Sequence, residues 1–200
     1  MSIEDQRITH GRKTRTALIQ AARRLFVQGY DKVGTPEIVR AAKVTRGALY
    51  HHFKDKRALF EAVVDDVARD LVGSINSAAE TNADQPLEAI LAGCRAFLAS
   101  AQDEEMRQIF LVDAPAVLGW GPWRAIDARH GLGSLKEGLQ ACAEQGLLRA
   151  DDIPAVAHLI SGALNEVVFA LVDHEPGDAM VASLDRQMER MVRALLSNEA

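Results

Sequence analysis

What this sequence has little of narrows it first. Aromatic residues make up 5% of the 200 positions and β-branched runs are short, which points away from a sheet-built core and towards an all-α chain rich in Ala and Leu. Two cysteines, Cys94 and Cys142, stand without CxxC or metal spacing; no disulfide framework is expected, and both read as buried small hydrophobes in a reduced cytoplasm. No stretch reaches the roughly eighteen uninterrupted apolar residues of a membrane span, and the polar opening MSIEDQRITHGRKTR lacks the apolar segment of a signal peptide. A cytoplasmic chain with no membrane partner is the expectation. Glu-x-x-His pairs, a Gly-rich phosphate loop after a strand and an activated Ser or Cys constellation are also missing, so an enzyme, a cofactor or a bound metal finds no support. The one conceivable acid–base pair, His158 with Glu166, is spaced two helical turns apart. Internal repeats and low-complexity segments are absent as well.

What is present is an uneven charge. The net charge is −5, yet residues 1–60 carry 13 Lys and Arg against 5 Asp and Glu, while residues 61–200 carry 10 against 23. A cationic first third on an acidic remainder is the electrostatic footprint of a small DNA-binding head on a separate body. On charge alone, the alternative that these basic residues are only solvated helix faces stays open.

Apolar spacing divides the chain into about nine helices. Residues 1–9 are expected to be disordered. A first helix spans His10 to Gln28 and stops at Gly29, which tolerates positive φ. A long helix follows Asp55 to about Thr81, with Leu59, Phe60, Val63, Val64, Val67 and Leu71 on one side. Pro86 to Ala101 forms the next, and Asp103 to Leu118 another, with Pro115 expected to kink or break it. Gly119–Trp123 reads as a turn, and a helix from Trp123 to about Gln145 is interrupted near His130-Gly131. The last two helices, about 152–173 and 178–197, differ in character. The first is apolar around much of its circumference, and the second carries Val181, Leu184, Met188, Met191 and Leu195 on a near-heptad stripe. This pair is expected to form a homodimer interface, although two ordinary core helices would show the same pattern.

Residues 34–60 are the most informative stretch. Thr35-Pro36 offers a hydroxyl cap followed by proline at the first helical position, with Ile38, Val39, Ala41 and Ala42 as an apolar face. Lys43-Val44 is a tight connection. Thr45 caps a second short helix carrying Ala48, Leu49 and His52-Phe53, and Asp55 caps the long one. Two short helices on a tight turn make a helix-turn-helix, whose second helix reads the major groove.

Thr35, Ile38-Val39, Ala42-Lys43-Val44, Thr45, Gly47, Leu49-Tyr50, His52-Phe53, and Lys56 with Leu59 together resemble the TetR/AcrR family of bacterial transcriptional regulators over residues 10–60. The run Val112–Trp120, continued by Trp123-Arg124 and Ile126-Asp127, looks like one found in the ligand-binding domains of some of these regulators. The resemblance implies a helix-turn-helix domain over 10–56 and a ligand-binding and dimerisation domain over 57–200. It implies a homodimeric repressor on a double-stranded inverted-repeat operator, released by a small-molecule effector. Two departures stand out: Val39 where alanine is usual, and Lys43 where the family usually has glycine. A lysine held there at positive φ costs about 1 kcal/mol relative to glycine.

The chemistry of each matched position follows. Arg46 is suited to reading a guanine edge bidentately, and Ala48 to touching a thymine methyl. Gly47 permits close backbone approach. Thr35, Lys43, Thr45, Tyr50, His51, His52 and Lys56 are expected to hold phosphates, the two threonines aided by their helix N-termini. Adjacent helix positions leave His51-His52 a poor metal pair. For a largely apolar effector, the candidate lining is Phe97, Met106, Phe110, Trp120, Trp123 and Phe169. Asp113, Asn165 and Glu166 are the polar anchors, with Arg95 and His158 as further possibilities. Asn165 and Glu166 are the more informative, since burying them unpaired in an apolar helix is costly. Two rival classes remain: an architectural DNA-binding protein without sequence preference, and a helical-bundle enzyme.

Overall fold

The computed structural model describes residues 3–171, 174 and 178–197, with side chains from Thr9 onward. Ten α-helices are seen among them: α1 Ile3–Phe26, α2 Thr35–Ala41, α3 Arg46–His52, α4 Lys56–Glu80, α5 Pro86–Ser100, α6 Ala114–Leu118, α7 Trp120–Asp127, α8 Gly133–Glu144, α9 Ile153–Leu171 and α10 Ala179–Leu195. π-helical stretches lead into α6 (Met106–Asp113) and join α7 to α8 (Ala128–Leu132). Apart from a short 3-10 helix at Tyr30–Lys32, the described chain therefore shows nine continuous helical runs and no strand, the all-α architecture expected.

Several boundaries differ from expectation. α1 begins at Ile3, inside the stretch expected to be disordered. Pro115 does not break its helix. With no N–H it removes the α-type bond to the Leu111 carbonyl, and the backbone runs in the wider π register just before it. The expected turn over Gly119–Trp123 is a single residue, Gly119 at φ 85°, after which Trp120 is already helical. The expected interruption near His130-Gly131 is the π-helical joint. Gly146 closes α8 at φ 75°, where the Leu147 N–H reaches back to the Cys142 carbonyl. The expected reach of the ninth helix to Asp173 and the connection at Glu175–Gly177 lie outside the described residues.

The chain forms two compact units. One comprises residues 1–67 with 108–123, the other residues 68–107 with 124–200. A boundary at residue 56 or 57 is thus not where the packing divides. The division falls within α4, and a later segment joins the first unit.

In the first unit Leu18, Ala22, Phe26, Ile38, Leu49, Leu59, Phe60 and Val63 are fully buried. Phe26 meets Phe60 edge-on at 5.1 Å, and Tyr30 leans on both rings. Asp66 of α4 accepts from Gln20 and Arg23 of α1 at 2.9 Å, registering the long helix against the first. In the second unit α5, α8, α9 and α10 pack on one another through Ile90, Leu91, Leu139, Ala157, Ile160, Val168 and Val192. The segment Ala150–Leu171 is long and apolar enough to cross a membrane. Its buried positions Val156, Ile160, Leu164 and Val168 instead supply this unit's core.

Candidate functional site

Two places gather polar side chains with a purpose. The first is built by α2 and α3. Gly34, in extended conformation, is the N-cap of α2, and its N–H is taken by Glu37 at 3.0 Å. Thr35 is the first helical residue and not the cap, because Glu37 at the third position already closes the helix start on Gly34. Thr45 does cap α3: its Oγ1 accepts from the Ala48 N–H at 3.2 Å, which leaves the hydroxyl proton to be donated outward. Between the two helices Lys43 sits at φ 55°, the one non-glycine residue with positive φ among the described residues. Its N–H returns to the Arg40 carbonyl and that of Val44 to the Val39 carbonyl. The lysine has thus adopted the left-handed turn that glycine takes at no cost.

Leu49 and Phe53 point into the core, and their helix turns Thr45, Arg46, Gly47, Tyr50 and His51 to solvent. The Arg46 guanidinium lies 5.6 Å from the Tyr50 ring centre. Hydrogen bonds from Thr35 and Arg46 hold the Tyr50 phenol below its ordinary value. That contact ties the start of α2 to the exposed face of α3. His51 and His52 do not simply point apart: their rings meet edge-to-face at 5.2 Å. Partial burial, then the neighbouring His51 and Arg15, lower the pKa of His52. A Cβ added at Gly47 would meet nothing nearer than the Thr45 hydroxyl at 3.9 Å, so nothing within the chain requires glycine there.

Lys56 departs from its expected role. Its ammonium donates to the Tyr30 carbonyl at 2.6 Å and lies 3.8 Å from the Tyr30 ring centre, half-buried, with its pKa lowered chiefly by that burial. It holds the turn after α1 and is not among the exposed donors. Asp113, expected to anchor an effector, accepts the Tyr30 N–H at 2.7 Å in the same corner. Arg57 donates to the carbonyls of Val117 and Leu118. These bonds explain why the segment 108–123 belongs to the first unit.

The second place is a cavity of about 120 Å³ in the second unit. Val72, Ile75 and Ala79 of α4, Ile90, Gly93, Cys94 and Phe97 of α5, Leu135 and Gly138 of α8, and Leu164 of α9 make its apolar wall. Close approach is built in, since a Cβ on Gly93 would stand 3.2 Å from Ile75 and one on Gly138 3.3 Å from Ile90. The polar lining is Asp127, Ser161 and Asn165, with Asn76 and Ser134 paired to each other. Asp127 Oδ2 receives the Arg124 guanidinium and, at 3.0 Å, the Asn165 amide. Arg124 also donates to the Ser161 hydroxyl at 3.0 Å. Asn165 is 7% exposed, and its Oδ1 has no hydrogen-bond partner among the described residues.

Of the expected effector residues, Phe97 and Asn165 line this cavity. Phe110 and Trp123 are buried in the first unit, their rings 5.7 Å apart, and Trp120 packs on Trp123 while remaining 61% exposed. Met106 is buried core, Phe169 is half-buried and does not line the cavity, and Glu166 is exposed on the far side of α9. Arg95 reaches towards Glu189, and His158 is exposed. Helical spacing identified apolar residues but not which cavity they face. Ser161 and the close-packing glycines were missed, and Asp127 was named only as part of the run that resembles a ligand-binding domain. An Arg124-x-x-Asp127 pair on one helix face was the signal that pointed to them. Burial raises the Cys94 thiol to about 12 and the Cys142 thiol to about 11, so both stay protonated and unreactive.

Known proteins resemble this chain across both units. Residues 18–63 match the family described as "Bacterial regulatory proteins, tetR family" and residues 87–195 match "Tetracyclin repressor-like, C-terminal domain". The structure of a TetR-family transcriptional regulator from Pectobacterium atrosepticum is 34% identical, with a TM-score of 0.81 over 94% of this chain and 96% of its own. The probable acrEF/envCD operon repressor of Escherichia coli (strain K12) is 27% identical over 198 residues, 94% of this chain and 89% of the relative. RolR in complex with resorcinol, 21% identical with a TM-score of 0.73 over 96% of each chain, shares the fold.

Proposed function

Given that this chain belongs to the TetR family of bacterial transcriptional regulators and is a DNA-binding transcriptional repressor, we propose that it works as a homodimer on an inverted-repeat operator in the cytoplasm and is released by a small molecule. The observation that carries the DNA half is the outward set on α2 and α3. Arg46, Tyr50 and His51 stand exposed beside Thr45 on a helix whose opposite side is buried. Arg46 is the long fork-shaped donor suited to a guanine edge, and Ala48, beside it, to a thymine methyl. Lys43, Thr45, Tyr50, His51 and His52 answer to phosphates, with Thr35 holding Tyr50 in place. Gly47, free of any internal packing demand, leaves room for the DNA backbone. Lys56 drops out of the phosphate set, since its ammonium is engaged on Tyr30.

Homodimerisation is supported by α9 and α10. α9 exposes His158, Leu159 at 58%, Gly162 and Glu166 on one face, and α10 exposes Met180 at 50%. A second copy covers such a face and places two heads on half-sites about one helical turn apart. The cavity supports effector binding: its apolar wall comes from four helices, and it carries a few convergent polar groups.

The test is an operator selected from random duplexes, followed by quantitative gel shifts. Arg46→Ala is expected to cost about 1–3 kcal/mol, concentrated at one base pair of each half-site. Leu159→Asp is expected to turn the dimer into a monomer in light scattering and to weaken operator binding with it. Arg46→Ala binding with wild-type affinity and specificity would sink the reading of the head.

A further inference from the structure

We propose that the ligand of the body cavity is a small neutral molecule with a ring-sized apolar body and a hydroxyl group, seated with that hydroxyl between Asn165 and Ser161. The inference rests on the reading that the cavity holds the effector, and it names the effector's chemistry.

The orientation of Asn165 comes first. Asp127 is paired with the Arg124 guanidinium and is therefore an ionised carboxylate that only accepts hydrogen bonds. The Asn165 atom facing it at 3.0 Å must be the NH₂ group. That fixes the amide, and the carbonyl Oδ1 is left as an acceptor in a side chain only 7% exposed, without a partner. A buried acceptor left unmade is costly, and a ligand that donates to it recovers that loss.

Ser161 stands one turn earlier on α9 and lines the same cavity. Its oxygen already accepts from Arg124 at 3.0 Å, so its proton is available for donation. One donor and one acceptor side by side are the complement of a hydroxyl, which accepts and donates at once. An indole- or pyrrole-type N–H, which only donates, answers half of the pair.

Charge narrows the class further. The residues lining the cavity include no Lys, Arg or His and one carboxylate, Asp127. An anion would meet two acceptors and an arginine already engaged on Asp127 and Ser161. A cation would be desolvated opposite a carboxylate that is already neutralised, which the pairing no longer offsets. Both charged forms are disfavoured and the neutral one is not. Size sets the last limit. At about 120 Å³ the cavity is of the order that accepts a single six-membered ring, since an apolar cavity of roughly 150 Å³ takes up benzene. The remaining wall, from Val72, Ile75, Ile90, Phe97 and Leu164, offers that ring only hydrocarbon.

The test uses the full chain and three probes of one size: phenol, toluene and benzoate, at neutral pH. Titration calorimetry and melting-temperature shifts read binding directly, without DNA. Phenol is expected to bind saturably and about tenfold or more tighter than toluene, with benzoate not binding. Asn165→Leu is expected to erase or invert the phenol-over-toluene preference. The wild-type ranking stands by itself if that variant does not fold. Toluene binding as tightly as phenol, benzoate competing with phenol, or none of the three binding would each overturn the proposal. Gel shifts with the operator, run alongside, separate the two readings. Phenol that binds as expected yet leaves operator affinity unchanged removes the effector role of the cavity while the ligand class stands.

Discussion

Helices α3 and α9 each anchor an apolar side in a core, and the polar residues that matter on them face opposite ways. In α3 the polar set faces solvent, where each group keeps its water until a partner displaces it. In α9 Asn165 faces inward, where its Oδ1 has lost water and gained nothing. The same contrast runs through the packing around them. The first unit is filled, with nine side chains at zero exposure between α1 and α4, whereas the second surrounds a cavity. A surface reader needs a rigid support, and a small-molecule site needs empty, dry volume framed by helices that approach closely along its wall. Gly93 and Gly138 provide that approach.

The widest test of this contrast is overpacking. Ala22→Leu, at a position with no exposure, is expected to destabilise the chain by about 1–3 kcal/mol in denaturant unfolding. Gly93→Ala pushes on Ile75 at 3.2 Å, but Ile75 borders the cavity and can yield into it. Its expected cost is under about 1 kcal/mol, with a smaller cavity as the consequence. Equal costs at the two sites would erase the distinction between filled and hollow.

Gly47→Ala separates folding from reading on the outward helix. Replacing glycine within a helix favours folding by up to about 1 kcal/mol, and the structure offers no clash. The melting temperature is expected to hold or rise while operator affinity falls, because the new methyl stands where DNA must approach.

Lys43→Gly asks a related question of the turn. Relief of the φ 55° lysine is worth up to about 1 kcal/mol, partly offset by the greater freedom of glycine in the unfolded chain. Stability is expected to hold or rise slightly. The salt dependence of operator binding is expected to flatten by about one counterion, since one phosphate-facing charge is lost. An unchanged salt slope would make Lys43 a bystander.

The smallest effect concerns pH. His52 has its pKa lowered below 6.5 by partial burial and then by the neighbouring His51 and Arg15. The unfolded chain therefore takes up this proton first. The contribution is present above the unfolded value and is lost as pH falls through the folded one. His52→Gln is expected to remove a slight loss of stability on acidification below 6.5. Thermal melts across that window would read it, and a steeper acid loss in the variant would reverse the assignment.

Which residues were legible in advance follows from how far apart a site's parts lie. Thr45, Arg46, Gly47 and Tyr50 are neighbours in the chain, and a short capped helix fixes their mutual placement whatever surrounds it. Lys43 was likewise recognisable as a residue in glycine's place, and the backbone took the left-handed conformation that the turn demands. The internal partner of Lys56 and Asp113 was not foreseen. Their partner, Tyr30, lies 26 and 83 residues away in sequence, and no local rule announces that meeting. The cavity was the least visible part. Its apolar wall comes from four helices, and of the aromatic residues that seemed the natural lining, Phe97 reaches it while Phe110, Trp120 and Trp123 pack in the other unit.

By itself, then, the sequence determined an all-α chain, its helix-turn-helix and the outward chemistry of α3, because caps, periodicity and charge are short-range properties. Only the tertiary structure decided that Asn165 meets Asp127 and leaves an acceptor open in a cavity. That outcome depends on which helix faces meet, and the net burial of many side chains together selects them.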